Sequence, residues 1–407
     1  MKQVLRQLLA AQASHENAGQ PKSEPTPHPG PAAPIGNAQS RPLYKARDVV
    51  WRAAFVVLLF CVVEAVAFHT RFYANYLKPD STAGSLLTIL RLEENRKLAG
   101  PNQVLALGDS RMGLRPRVTD KLVSETGYTL ANMANPGTLP RDWYYMLREV
   151  DPDRNRYSAV LVPVPELEDD DWGDYSAADV DLHYLVPLIR VRDAYDFPRS
   201  FPTWGLRWGA LRTIFLKGLS YNLDFQELLE NYSERARALK WTREELGKTL
   251  YAYKGPTTSV TGLKVDWAAH KITQYPPGAT ESERQRLAMH LLRPVAVYTG
   301  QRAIYRRLWF GRTIDYYRGS RTRVIFLRMP RGPVVRPYPF SAKSSVVREF
   351  VAQGQAILLN EDTFDELERP EFFIDHMHLN ARGCERFSEM LARAVYAALG
   401  SPRRAGS

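Results

Sequence analysis

Residues 49–68 read Val-Val-Trp-Arg-Ala-Ala-Phe-Val-Val-Leu-Leu-Phe-Cys-Val-Val-Glu-Ala-Val-Ala-Phe. About 20 predominantly apolar residues is the length a helix needs to cross the hydrocarbon layer of a bilayer. Trp51 and Phe68 mark its edges, where aromatic belts form. Arg52 can snorkel at one end, and Glu64 near the other either reaches the interface or faces a membrane partner. Lys2, Arg6, Lys22, Arg41, Lys45 and Arg47 all precede the segment, so the tail is expected to stay inside and the remainder to be exported. Ala65-Val66-Ala67 imitates a signal-peptidase site, but the long leading tail is unlike a signal peptide. A buried core helix is the competing reading. The expectation is an uncleaved transmembrane helix at 48–70.

That segment divides the chain. Residues 1–47 contain Pro21-Lys22-Ser23-Glu24-Pro25-Thr26-Pro27-His28-Pro29-Gly30-Pro31, a density of proline that implies a disordered cytoplasmic tail. Residues 71–100 form a helical lead carrying Leu86, Leu87, Ile89, Leu90 and Leu92, ending near Gly100-Pro101. Residues 101–400 form the main domain, and 401–407 a polar tail. Within the domain the pattern runs strand 103–107, helix 111–126, strand 128–133, helix 140–150 and strand 158–164. A strand at 324–327, a helix at 342–354, a short strand at 356–359 and a helix at 381–399 follow. Strands alternating with helices predict an α/β fold with a parallel sheet, whose functional groups lie beyond the strands' C-terminal ends.

The alternation is interrupted. Glu166, Glu168, Asp169, Asp170 and Asp171 form an acidic run that reads as a solvated loop, or as a lining of the site or a cation contact. Residues 185–300 read as a mainly helical insertion holding Trp204, Trp208, Tyr221, Trp241, Tyr251, Tyr253 and Trp267, aromatics for packing a subdomain or stacking on sugars. Helix 301–318 carries Arg302, Arg306, Arg307, Arg312 and Arg318, a solvated face or an anion contact. Arg328 and Arg331 follow a strand's C-terminal end, within expected reach of a substrate. With a net charge of +11, the chain is suited to anionic polymer or lipid headgroups rather than nucleic acid. The two cysteines, Cys61 and Cys384, provide no disulfide framework.

Two short stretches carry chemistry. Val104-Leu105-Ala106-Leu107 runs into Gly108-Asp109-Ser110-Arg111. Such a run reads as a strand buried on both faces, glycine allows a sharp turn at its end, and Ser110 then stands where a helix begins. That placement exposes a hydroxyl beside unpaired backbone N–H groups, as an attacking serine requires. A plain turn capped by Ser110 is the alternative. Near the C-terminus stands Asp375-His376-Met377-His378. At a helix start, the three-residue spacing would put Asp375 and His378 on one face, a carboxylate to orient a base. Asp375 as a simple helix cap, with a solvated histidine, is the alternative. A metal held by Asp375, His376 and His378 is disfavoured, because no further ligands stand at a recognisable spacing.

Together these motifs resemble the SGNH (GDSL) hydrolase superfamily, over roughly residues 101–400 with the central insertion. Ala131-Asn132-Met133-Ala134-Asn135-Pro136-Gly137 is similar to the family's second block, with Asn132 and Gly137 matching and Ala134 in place of its first glycine. The resemblance implies a three-layer, flavodoxin-like fold, Ser110 as nucleophile, His378 as base and Asp375 as its orienting carboxylate. It implies an oxyanion and binding region of Gly137, Asn132, Asp109 and Arg111, with Asp109 chiefly shaping the turn, and no cofactor or metal. The third block departs: Val162-Pro163-Val164-Pro165-Glu166 offers no amide where the family has an asparagine. Losing one such donor costs about 100- to 1,000-fold in rate.

That departure makes the chain look most like membrane-anchored SGNH-like proteins of cell-envelope O-acylation, of the alginate-acetylation and teichoic-acid D-alanylation kinds. These work beside a multi-pass membrane-bound O-acyltransferase. The expected function is acyl transfer to an acidic or neutral glycan outside the cell (inner) membrane. Simple ester hydrolysis and a non-catalytic polymer-binding scaffold are the alternatives.

Overall fold

The structure is a computed structural model that describes residues 46–70, 72–95, 102–113, 126–164, 180–242, 244, 258–294, 305–337 and 345–401. The tail before residue 46, most of the expected helix 111–126, the acidic run at 166–171, Tyr251, Tyr253, Arg302 and residues 402–407 lie outside them.

The chain divides at Ala65 into two units. In the first, helix α1 (Ala46–Val63) presents Val49–Val63 outward almost throughout. The helical stretch Asp48–His69 has a mean hydropathy of 2.3 over its best window and is long and apolar enough to cross a membrane. At Glu64, which is buried, α1 passes into a turn of π-helix, Glu64–His69.

The second unit, Val66–Ser407, is an α/β domain around five parallel strands. These are β1 (Gln103–Ala106), β2 (Thr129–Asn132), β3 (Ala159–Val164), β6 (Arg323–Arg328) and β7 (Ile357–Leu358), in the spatial order β2-β1-β3-β6-β7. β4 (Lys264–Asp266) and β5 (Lys271–Gln274) form a separate antiparallel hairpin. β1 pairs with β2 through Val104↔Leu130 and with β3 through Leu105↔Val160, so it lies inside the sheet. Its uninterrupted apolar run is thereby explained: alternate residues serve opposite faces. Leu105, Leu107, Val160, Val162, Val324 and Phe326 share one core, and Val104, Ala106, Leu161, Ile325 and Leu327 share the other.

The first core is roofed by helices α2 (Thr82–Asn95), α3 (Pro140–Val150), α4 (Val180–Leu185), α5 (Trp204–Phe215), α8 (Tyr305–Tyr317) and α9 (Ser345–Ala352), with Trp309 fully buried among them. α3 begins with Pro140 at its first position, where a missing N–H costs nothing. The second core is closed by helix α10 (Ala381–Leu399), through Phe387, Leu391 and Val395.

Within residues 185–300 the described elements are helices and one hairpin. Helices α5, α6 (Asn222–Glu230) and α7 (Tyr232–Trp241) are followed by the β4–β5 hairpin and a further helix, Glu281–Leu291. Val260, Leu263 and Leu287 join the second core, on the face opposite α5. The arginines expected as a solvated face of helix 301–318 divide: Arg307 and Arg318 are exposed, whereas Arg306 is buried and Arg312 lies over the Trp309 ring at 4.9 Å.

Candidate active site

Counting only the sheet strands, β1 lies between the second and the third. The chain therefore reverses its direction of travel across the sheet between β1 and β3, which is where open α/β sheets form their crevice. Ser110 stands at this point, four residues beyond β1. Gly108 has φ +143°, and a Cβ there would come within 2.7 Å of Met112 Cβ and 3.1 Å of Pro163 Cγ. Only glycine fits the turn that presents the serine.

The second half of the site is a loop pinched at its base. Phe373 and Leu379, both fully buried, form an isolated antiparallel bridge, and the Ile374 N–H donates to the His378 carbonyl at 2.9 Å. Asp375 Oδ1 accepts the N–H groups of Met377 (2.8 Å) and His378 (2.7 Å). Asp375 and His378 thus meet across a loop rather than on a helix face. The cap of α10 is Asn380, whose side chain accepts from the Gly383 N–H at 2.9 Å. The bridge sets the loop before the helix begins, which the three-residue spacing could not convey.

The two halves meet in a continuous chain. Ser110 Oγ lies 2.8 Å from His378 Nε2, and His378 Nδ1 lies 2.8 Å from Asp375 Oδ2. Burial alone would raise the Asp375 pKa, but the hydrogen bond and charge of His378 and the two backbone N–H groups outweigh it, lowering it to about 2. A hydroxyl, an imidazole and an ionised carboxylate in series is the arrangement that nucleophilic catalysis by serine requires.

Among the described residues, no acceptor takes the backbone N–H of Ser110 or of Gly137. The Gly137 turn (φ +79°) is fastened to the Ser110 turn through the Asn135 N–H, which donates to the Gly108 carbonyl at 2.9 Å. Asn132, grouped with the oxyanion and binding residues on sequence grounds, is buried. Its amide donates to the Met112 carbonyl (2.9 Å) and accepts from the Ala134 N–H (3.0 Å), so it joins two loops instead. Asp109 accepts the Arg111 N–H at 2.8 Å and pairs with its guanidinium at 2.8 Å. Burial opposes ionisation of Asp109, yet Arg111 and then His378 hold its carboxyl below the usual range. Asp109 therefore shapes the turn, and Arg111 is its counter-ion. The third-block position after β3 lies outside the described residues.

His290, on the helix Glu281–Leu291, stacks on His376 with ring centroids 4.0 Å apart and planes 3° from parallel. Burial pushes His376 down to about 4, despite the Asp375 charge, and burial also lowers His290. Both rings are therefore uncharged near neutrality and pack as an aromatic pair beside the loop. Nothing in the sequence marks His290; it is a lone histidine 86 residues before its partner, brought in by the insertion. Arg331, expected to reach a substrate, is bound by Glu368 and Asp365. Its neighbour Gly332 (φ +143°) leaves room for the His376 carbonyl, which would lie 2.8 Å from a Cβ. This loop braces the Asp375–His378 loop. Among the described residues, no cluster of three metal-ligating side chains occurs.

In comparisons with known proteins, no family model matches the chain, and no curated protein matches it.

Proposed function

We propose that this chain is an SGNH-type serine acyltransferase, anchored by α1 in the cell (inner) membrane with its domain outside the cytoplasm, acting on an exported polysaccharide. The observation that carries the reading is the unbroken hydrogen-bonded series Ser110–His378–Asp375. The parallel order 2-1-3-4-5 is that of flavodoxin-like sheets and supports the expected three-layer fold.

Ser110 Oγ attacks an acyl ester while His378 Nε2 takes its proton. The tetrahedral oxyanion is held by the Ser110 and Gly137 N–H groups. His378 returns the proton to the departing alcohol, leaving an acyl-serine. A sugar hydroxyl, deprotonated by His378, then attacks that acyl group and Ser110 recovers its proton. Asp375 fixes the imidazole tautomer and stabilises its cation in both halves. The donor fits a multi-pass membrane-bound O-acyltransferase as partner; no cofactor, metal or nucleic acid enters the scheme.

A fluorophosphonate probe tests the nucleophile: the wild type is expected to label and Ser110→Ala to remain unlabelled. Equally poor labelling of both, with glycan binding retained, would favour a non-catalytic scaffold, the reading that the missing third-block amide supports. Incubation with an activated acyl ester, with and without glycan, separates transfer from hydrolysis. Release of free acid at a rate unaffected by glycan would rule against transfer.

A further inference from the structure

Helices α5, α6 and α7 expose a concentration of large apolar side chains: Trp204 (75%), Trp208, Leu223 (75%), Leu229, Tyr232 and Trp241 are each more than half exposed. Between residues 244 and 401, by contrast, Met289 and Tyr396 are the exposed large apolar side chains among the described residues. Isolated cases are ordinary on a soluble surface, but a cluster of this kind marks an interaction site. Trp204 and Trp208 are four apart and share one face of α5, while Ala210, Thr213 and Ile214 on the same helix are buried.

The location of the cluster identifies its occupant. The chain emerging from α1 packs directly on these helices. Phe68 stacks on Tyr221 at 6.1 Å and meets Phe225 edge-on at 6.3 Å. His69 Nε2 lies 3.2 Å from the Phe215 carbonyl, Tyr73 donates to Asp224 at 2.7 Å, and Arg235 donates to the Tyr76 carbonyl at 2.7 Å. Phe68 is three residues from Ala65, so wherever α1 leaves a bilayer, these helices are fastened within a few residues of the exit. Tryptophan and tyrosine are the residues of the membrane–water interface; the exposed charges beside them are of both signs, Arg212, Arg237 and Lys240 with Glu230 and Glu234, as a headgroup layer can accommodate.

We infer that α5–α7 form a platform seated in the phospholipid interface on the side of the membrane to which the domain is exported. The inference rests on the reading of α1 as a transmembrane anchor. The platform is a monotopic contact: its apolar side chains enter the headgroup and upper acyl region while the helices stay parallel to the surface.

The test uses the full chain carrying Cys61→Ser, reconstituted in vesicles of phosphatidylethanolamine and phosphatidylglycerol, with spin labels at Trp208→Cys and Leu223→Cys. Val57→Cys reports on the anchor, and Gln353→Cys, exposed beyond α9, on bulk water. Collision with oxygen relative to a water-soluble nickel chelate is expected to be several-fold higher at positions 208 and 223 than at 353, as it is at 57. Water-like values at 208 and 223 with a lipid-like value at 57 would overturn the platform and leave the anchor standing. A water-like value at 57 would remove the anchor and the platform together. Shielding of 208 and 223 from both reagents would mean that protein covers the helices, a second copy or a partner, and would also refute the inference.

Discussion

Asp375→Asn isolates the chemistry from the fold. The isosteric amide keeps Oδ1, which accepts the Met377 and His378 N–H groups at 2.8 and 2.7 Å, so the loop geometry is retained. It replaces Oδ2, 2.8 Å from His378 Nδ1, with an NH2 that can only donate. The imidazole must then accept at Nδ1 and carry its proton on Nε2, the atom 2.8 Å from Ser110 Oγ. A protonated Nε2 is no base, and the expected loss in kcat is about 10⁴-fold, or roughly 5.5 kcal/mol of transition-state stabilisation. The cost in stability is far smaller. Three charge-assisted hydrogen bonds become neutral ones in a half-exposed loop, about 1–2 kcal/mol together. The assay is the pre-steady-state burst with an activated acyl ester, run beside fluorophosphonate labelling and thermal denaturation. A variant with an unchanged melting temperature and a burst rate within about tenfold of wild type would refute the assigned role of Asp375.

Other consequences follow from the same geometry. In Gly137→Ala the new Cβ would lie 2.8 Å from Tyr184 Oη at a φ of +79°; acylation should fall by about 100-fold as the N–H is displaced. Adding Tyr184→Phe should relieve the clash but not the strain at positive φ, and it removes the hydrogen bond to the Pro136 carbonyl, so the rate should stay low; full recovery of rate would dismiss Gly137 as a donor. Gly108→Ala meets Met112 at 2.7 and 2.8 Å in a backbone region closed to alanine. It should cost about 3 kcal/mol or more by urea denaturation. Acid should weaken the fold in a defined window. His376 titrates near 4 in the fold against 6.5 outside it, so as pH falls from 6.5 to 4 the unfolded chain binds a proton that the folded chain refuses. Stability conferred by the neutral ring is complete above 6.5 and declines by about 2–3 kcal/mol across that window, after a discount for partial exposure. Asp375 contributes a further decline between 3.8 and about 2. His376→Gln should flatten the upper part of the profile; an identical slope would show that other groups govern it.

Much of this arrangement was legible because it is local. Four apolar residues before Gly108 fix β1 as an inner strand, since only a two-faced burial uses such a run. The 3.6-residue periodicity and Pro140 delimit α3, and the same periodicity delimits α10. Ser110, Asp375 and His378 stand in short motifs, and the turn before Ser110 and the Asp375 loop are each tied by backbone N–H groups a few residues away. What escaped the sequence is long-range. His290 acquires its place only when the insertion folds back on the second core, and Arg331 is claimed by Glu368, 37 residues away. Asn380 rather than Asp375 caps α10 because the Phe373–Leu379 bridge consumes the intervening residues. The Asn132 amide is held by the Met112 carbonyl, 20 residues away along the chain.

The segment after Ala65 has one more implication. Tyr73 and Leu77 are buried, Lys78 donates to Asp224, and Arg235 grips the Tyr76 carbonyl, so the connection is masonry rather than rope. A leash frays independently of what it holds; a segment mortared into the domain in this way does not. Residues 73–78 are therefore expected to unfold with the domain and not ahead of it.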